Sequence, residues 1–465
     1  MVYIIGYYQC QKVAVFDKPI RYYLANSLHI CFFEHFYYKV YAIMSFQTKL
    51  TLLCIAAGMG FTQVTLAEMV QLEQSASVTL SSLTQNVYDR HPALQNELAQ
   101  QQQIEANTDL ANATFADVKS ISLNHQNDAI GSDDGLQEWE ASVDMPLWLP
   151  GQKQQQLLLS DKMSAELPAY KEKIRLDASE KVRTLVWNVV VANNANRQAH
   201  QVWQTAKKLE QDVAARVKAG ELAGTQRLLA STNALEMHNQ YLLTEAELEH
   251  ALNSYRHVTG ENSFPAIYEE TLSKDFDNNQ QHHSSVKIDQ QHPSLILLEQ
   301  QINTLRAQQN LAHFDGAVNP SLSLGLRSER GTNDESFNNS IGVGISFALD
   351  NDVYRRPAIA NAAKELADAE ISRQQLEREL NITLFSQLHD LETKQKQLEL
   401  VNDQNTTTKQ YYALQQRAFE LGEIDLVNLL RSQSLANETY NRKQALEVDI
   451  KQMTAMVNQA LGLVL

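Results

Sequence analysis

Along most of this chain apolar residues recur every three or four positions, the spacing of helices with one buried face. Val78 to Tyr88 predicts a short helix, and Pro92 starts a second that runs to about Ala116 through Leu94, Leu98, Ile104 and Leu110. The period then changes to two. Ile121 and Leu123 fall on one side of an extended segment, with Ser120, Ser122 and Asn124 opposite. After a polar, turn-rich stretch from Asn127 to Gly135, Trp139, Ala141, Val143, Met145 and Leu147 alternate with Glu140, Ser142 and Asp144. Pro150-Gly151 closes this strand, and a very long helix opens from Gln152 to about Ala219, on the order of 100 Å in length. Pro168 within it removes one intrahelical hydrogen bond. Gly220 breaks the run, and a returning helix passes through Leu228, Leu229, Leu235, Leu242 and Leu248 to Gly260.

The same order then occurs again. A helix from Pro293 to about His313 precedes a strand with Leu322, Leu324 and Leu326 facing away from Ser321, Ser323 and Arg327. A loop begins at Gly331. In the next strand Phe337, Ile341, Val343, Ile345, Phe347 and Leu349 oppose Ser340, Gly342, Gly344, Ser346 and Asp350. Pro357 marks the exit into a helix that reaches Leu421. Leu376, Leu380, Leu384, Leu388, Leu391 and Leu398 form a seam along it for a partner helix. Gly422 turns the chain into a last helix that stops at Gly462. Gly220 and Gly422 are 202 residues apart, as are Gly260 and Gly462; His91-Pro and His292-Pro mark the two beginnings. A repeat this long is a duplicated domain rather than a solenoid unit. The expected organisation is a first repeat over residues 68–260, a polar connector over 261–291 and a second repeat over 292–465.

Each strand is about 10 residues long, the length of a tilted transmembrane strand, with one apolar and one polar face. A soluble half-buried hairpin shares that alternation. Trp139 and Trp148, near opposite ends of one strand, suit interfacial positions. Past residue 67 no run of 18 apolar residues occurs, so a bilayer crossing would require a closed barrel. Four strands cannot close a barrel around a pore, which predicts that strands are pooled between subunits.

The N-terminal region adds a location. Met44-Ser-Phe-Gln-Thr-Lys is a short basic segment, Leu50 to Phe61 is apolar, and Val64-Thr-Leu-Ala67 offers small residues for cleavage. That is a secretory signal over residues 44–67, with residues 1–43 read as an extension from a misassigned upstream start. Cys10, Cys31 and Cys54 all precede Ala67, so the mature chain has no disulfide or thiolate site. The net charge of −16 excludes nucleic acid as the expected partner, since phosphate binding needs clustered Lys and Arg. His282 and His283 sit in a Gln/Asn-rich stretch and read as solvated rather than metal-binding. No His-Glu-x-x-His, Gly-x-Ser-x-Gly, phosphate-binding loop or calcium-loop spacing is present, so no enzyme, no cofactor and no metal site is expected.

Three features in this order resemble the TolC-like outer-membrane efflux proteins: the duplicated strand-strand-long-helix-turn-helix order, the strand exit Met145-Pro-Leu-Trp-Leu-Pro-Gly-Gln152, and the turns Gly220-Glu-Leu and Gly422-Glu-Ile-Asp-Leu. The resemblance spans residues 70–465. It implies a mainly helical fold with a β contribution: a homotrimer whose chains pool their strands in a twelve-stranded barrel in outer-membrane lipid, continued by a periplasmic α-helical tunnel. It implies a passive exit duct energised by an inner-membrane pump and docked by a periplasmic adaptor. Adaptor contacts would fall on Lys218, Ala219, Gly220, Glu221 and Leu222, and on Glu420, Leu421, Gly422, Glu423 and Ile424, with Leu222 and Ile424 forming an exposed apolar patch. Members carry gate carboxylates six and nine residues after the second turn glycine. This chain has Asn428 and Arg431 there, and Asp425 is the nearest acid, so its gate departs from the family pattern. Glu140 and Asp144 would face the barrel lumen. Pro146-Leu-Trp-Leu-Pro-Gly151 is similar to members serving heavy-metal cation exporters; drug efflux and type I protein secretion are the alternatives within the family. Outside it, a periplasmic coiled-coil scaffold with a small β domain stays open.

Overall fold

The computed structural model describes residues 73–272, 287–349 and 352–465, which belong to one unit, Val70–Leu465. The expected signal segment and upstream extension, the three cysteines, the His282–His283 pair and Asp350 lie outside the described residues. Thr79 opens the first helix, α1 (Leu80–Asp89), through a capping box with Ser82, satisfying backbone donors that a helix start leaves free. The second, α2 (Leu94–Asn112), stops four residues short of the expected end. The carbonyl of Ala113 accepts from Trp148 Nε1 at 3.1 Å and from Lys153 Nζ at 3.0 Å; these tertiary donors take the place of a helical N–H.

Strands β2 (Ser120–Asn127) and β3 (Gln137–Pro146) form a hairpin, as do β5 (Ser321–Arg330) and β6 (Asn338–Ser346). The four make one antiparallel sheet in the order β2-β3-β5-β6. Two strands run longer than the alternation suggested. His125 stacks on Trp139, ring centroids 3.9 Å apart, which carries β2 to Asn127. Arg327 bridges to Glu138 and Glu329, which carries β5 to Arg330.

Each hairpin feeds a long helix: α3 (Gln152–Lys218, 67 residues) after β3, and α6 (Arg356–Glu420, 65 residues) after β6. The returns are α4 (Gly224–Thr259) and α7 (Leu426–Ala460), and α5 (Pro293–Ala312) precedes β5. α3 packs on α4 and α7, and α7 packs on α6, so α4 and α6 are the outer members of a layer α4-α3-α7-α6. The leucine seam of α6 finds its partner in the same chain: Leu384, Leu388 and Leu391 are buried with Leu295 of α5 and Val457 of α7. A second core joins Leu83 and Val87 of α1 to Val182 and Val186 of α3 and Leu248 and Tyr255 of α4.

The expected connector is tied down where it can be described. β4 (Phe264–Pro265) pairs in parallel with β1 (Gln74–Ser75). Glu270 then receives both arms of Arg183, at 2.9 and 2.8 Å. Arg183 is 2 % exposed, and the remaining donors of its guanidinium reach Gln459 and the carbonyl of Leu463. A buried guanidinium is tolerated because each of its three nitrogens has a partner.

Candidate functional site

The register of the sheet sorts every strand residue to one of two faces. Ile121 lies opposite Val143, Val143 opposite Leu324, and Leu324 opposite Val343, so one apolar row crosses all four strands. Nothing in the described chain covers this face: Ile121 is 81 % exposed and Ile341 80 %. The other face carries Ser122, Ser142, Gly325 and Gly342 in one row, and Asn124, Glu140, Arg327 and Ser340 in the next. Arg327 is its single base, 2.8 Å from Glu138 and 2.7 Å from Glu329. Asp144 accepts from the Ser122 hydroxyl at 3.3 Å. Glu140 and Asp144 therefore share the polar face, as the alternation predicted. Among the described residues, the outer edges of β2 and β6 have no strand partner.

At the far ends of the long helices the two turns are built alike. Gly220 has φ +79° and Gly422 φ +75°, the left-handed region that favours glycine. Glu221 N donates to Arg216 O at 3.0 Å and Glu423 N to Ala418 O at 2.9 Å, so each turn closes as a Schellman motif. Lys218, Ala219 and Glu221 are exposed, as are Glu420, Leu421 and Glu423. Leu222 and Ile424 correct the expectation of an exposed apolar patch. Both are half-buried against a core of Val213, Ala230, Phe419, Leu426 and Leu429, because the two hairpins pack side by side through α3 and α7. Among the described residues, the large apolar side chains exposed near the turns include Leu228, Leu229, Leu421 and Val427.

Asp425 is engaged as the N-cap of α7: its Oδ1 accepts from Asn428 N at 2.9 Å. Asn428 and Arg431 follow on one exposed face of α7, and among the described residues Arg431 has no ion-pair partner. No group of three or more potential metal ligands is found among the described residues, and no described helix is long and apolar enough to cross a membrane.

Local sequence did not disclose the middle of the molecule. His292 caps α5, its Nδ1 accepting from Ser294 N at 3.2 Å. Burial, with Lys173 adding to it, holds its pKa below the ordinary histidine value. Gly462 packs against this imidazole; a Cβ there would lie 2.6 Å from His292 Cδ2 and 2.8 Å from Pro293 Cδ. The second-half His-Pro and Gly marks thus meet in one contact, whereas in the first half Gly260 meets the guanidinium of Arg90, the residue before His91. Tyr255, its hydroxyl donating to Ser263 O at 2.9 Å, has its pKa pushed up to about 12 by burial and by Glu261. On α3 and α4, Trp203 stacks on His238 and Tyr241, centroids 4.3 and 5.4 Å away; isolated aromatics in the sequence gave no hint of this.

No family model matches the sequence, and no curated protein sequence matches it. Solved structures do. The outer-membrane protein VceC of Vibrio cholerae superposes with a TM-score of 0.63 at 13 % identity, covering 82 % of this chain and 96 % of its own. The CmeC outer-membrane channel of Campylobacter jejuni gives 0.61 at 13 % identity over 85 % and 90 %. The open state of the MtrE outer-membrane channel of Neisseria gonorrhoeae gives 0.59 at 14 % identity over 86 % and 96 %. The chain has the TolC-like channel fold.

Proposed function

We propose that this protein is the outer-membrane exit duct of a tripartite efflux system: a conduit rather than a catalyst, with its sheet in outer-membrane lipid and its helices in the periplasm. The observation that carries the reading is the sheet, whose continuous apolar face is exposed while, among the described residues, both outer edges lack strand partners. A sheet in this condition is unstable alone in water and is completed by lipid on one face and further strands at its edges. Pooling with two further copies gives a closed twelve-stranded barrel with Glu140 and Asp144 in the lumen. The helical layer supports the same assembly. Leu228, Leu235 and Leu242 form an exposed heptad seam on α4, and Leu400, Leu414 and Leu421 form one on α6. Leu228 and Leu414 each stand 8 residues from their turn glycine, and Leu242 and Leu400 each 22. α4 of one copy therefore matches α6 of the next at these two levels.

An inner-membrane pump supplies the energy, and a periplasmic adaptor docks at the turns, on Lys218 to Leu222 and Glu420 to Ile424. Arg431 and Asn428 line the narrow end, with Asp425 held as a cap. Heavy-metal cations are the favoured cargo on the strength of the Pro146-Leu-Trp-Leu-Pro-Gly151 exit; drugs and secreted proteins are the alternatives. Cell fractionation tests the location. Recovery from outer membranes as an SDS-resistant oligomer supports the duct, whereas a soluble periplasmic monomer would leave the coiled-coil scaffold.

A further inference from the structure

We infer that a cavity between the end of α1, the middle of α3 and the last turn of α4 is a binding site for a small organic phosphate monoester. The cavity has a volume of about 660 Å³, within the range of small-molecule sites. Arg90 and His91 follow α1, Lys181 lies on α3 and His257 in the last turn of α4, and all four line it. Arg90 and Lys181 are exposed, so their charged ends are open to an occupant. Among the described residues neither has an ion-pair partner.

Donors outweigh acceptors in this wall. His91 Nδ1 accepts from Ala93 N at 3.2 Å, so the neutral ring carries its hydrogen on Nε2 and offers it as a donor. With the guanidinium and the ammonium this makes three kinds of donor, a set suited to the several oxygens of a phosphate. Asp177 does not oppose them, because Lys173 Nζ donates to both of its oxygens, at 2.5 and 2.6 Å. Glu180 is the other carboxylate of the lining, and it is exposed, which leaves it solvated. Two full cations against one such carboxylate favour an anion, in a chain whose net charge is −16. Val87, Pro92 and Val258 supply an apolar wall for the organic part.

The duplication separates what the fold requires here from what it does not. Both halves keep the His-Pro step and the glycine. At the matching second-half positions, however, Arg90 becomes Gln291, Lys181 becomes Thr383, Glu180 becomes Ile382 and His257 becomes Gln459. The protein itself uses the counterpart positions: His292 is 4 % exposed, Gly462 abuts its ring, and Gln459 Nε2 donates to Leu176 O at 3.1 Å. The helix ends therefore join without these charges, which leaves the first-half set to a ligand.

The test is titration calorimetry on the purified, detergent-solubilised chain, with phenyl phosphate as probe and phenol and inorganic phosphate as comparators. Phenyl phosphate should bind saturably and more tightly than either comparator. Arg90→Gln and Lys181→Thr, which copy the second half, should each lower its affinity about tenfold with an unchanged circular dichroism melt. Glu180→Gln, which removes the opposing charge, should raise it about twofold. Phenol binding as tightly, as from partition into detergent, would overturn the site, and so would inorganic phosphate binding as tightly, the mark of an adventitious ion only. An affinity that survives both cation substitutions, or that falls in Glu180→Gln, would overturn it as well. None of these readouts depends on conduction, so the site stands or falls separately from the duct.

Discussion

Two glycines of the second half illustrate how similar backbones serve different needs. A Cβ on Gly422 would meet nothing within 4 Å, so only its positive φ calls for glycine. Gly422→Ala should cost about 1–2 kcal/mol, the left-handed penalty. Gly462 has the same φ and also abuts His292 and Pro293, so Gly462→Ala should add an overpacking cost of roughly 1–3 kcal/mol. Thermal midpoints of the two variants check this; equal shifts would contradict the contact. His292 makes a prediction in pH. Burial depresses its folded pKa, so below its ordinary value the unfolded chain binds a proton that the folded chain refuses. Stability is therefore present above about pH 6.5 and is lost as pH falls toward the depressed folded value. His292→Asn, which keeps a capping acceptor without titrating, should flatten the fall in melting temperature between pH 7 and 5. In the proposed duct, Arg431→Asp should shift ion selectivity toward cations, because charge at a constriction sets its barrier. Reversal potentials measured across a salt gradient would reveal the shift.

At the scale of elements, the long periodic segments were legible because their signal is local. α3 and α6 hold a helical period over more than 60 residues, and the four strands hold a period of two. What escaped the sequence was decided by neighbours remote in the chain. α2 ends early because Trp148 and Lys153 take the carbonyl of Ala113. β2 continues because His125 finds Trp139. Leu222 and Ile424 are half-buried because the two hairpins lie side by side. The Arg183–Glu270 pair likewise depends on where the connector is laid against α3, and no spacing within one segment encodes that. The leucines of α4 were legible along the sequence, but the exposed Leu400 and Leu414 of α6 were not singled out by it, and only the fold identifies the two helices as the outer members of the layer. Leu414→Glu places a charge in the α6 seam at the level of Leu228. It should abolish the SDS-resistant oligomer while leaving the helical content of the chain unchanged; an intact oligomer would remove this seam from the interface.

In the molecule as a whole, a sheet that among the described residues has one face uncovered and both edges unpaired adjoins a helical layer whose outer members, α4 and α6, have no further helix of the layer beside them. The proposed duct gives each incompleteness the same remedy: further copies of the chain around a common axis, in lipid at one end and water at the other. The duplication explains why both halves contribute a hairpin to the sheet and a hairpin to the layer. The most direct test is single-channel conductance of residues 68–465, purified from outer membranes and added to a planar bilayer. The account predicts small, steady channels from an SDS-resistant trimer. A trimer that inserts without conducting, or a chain that fails to insert at all, would contradict it.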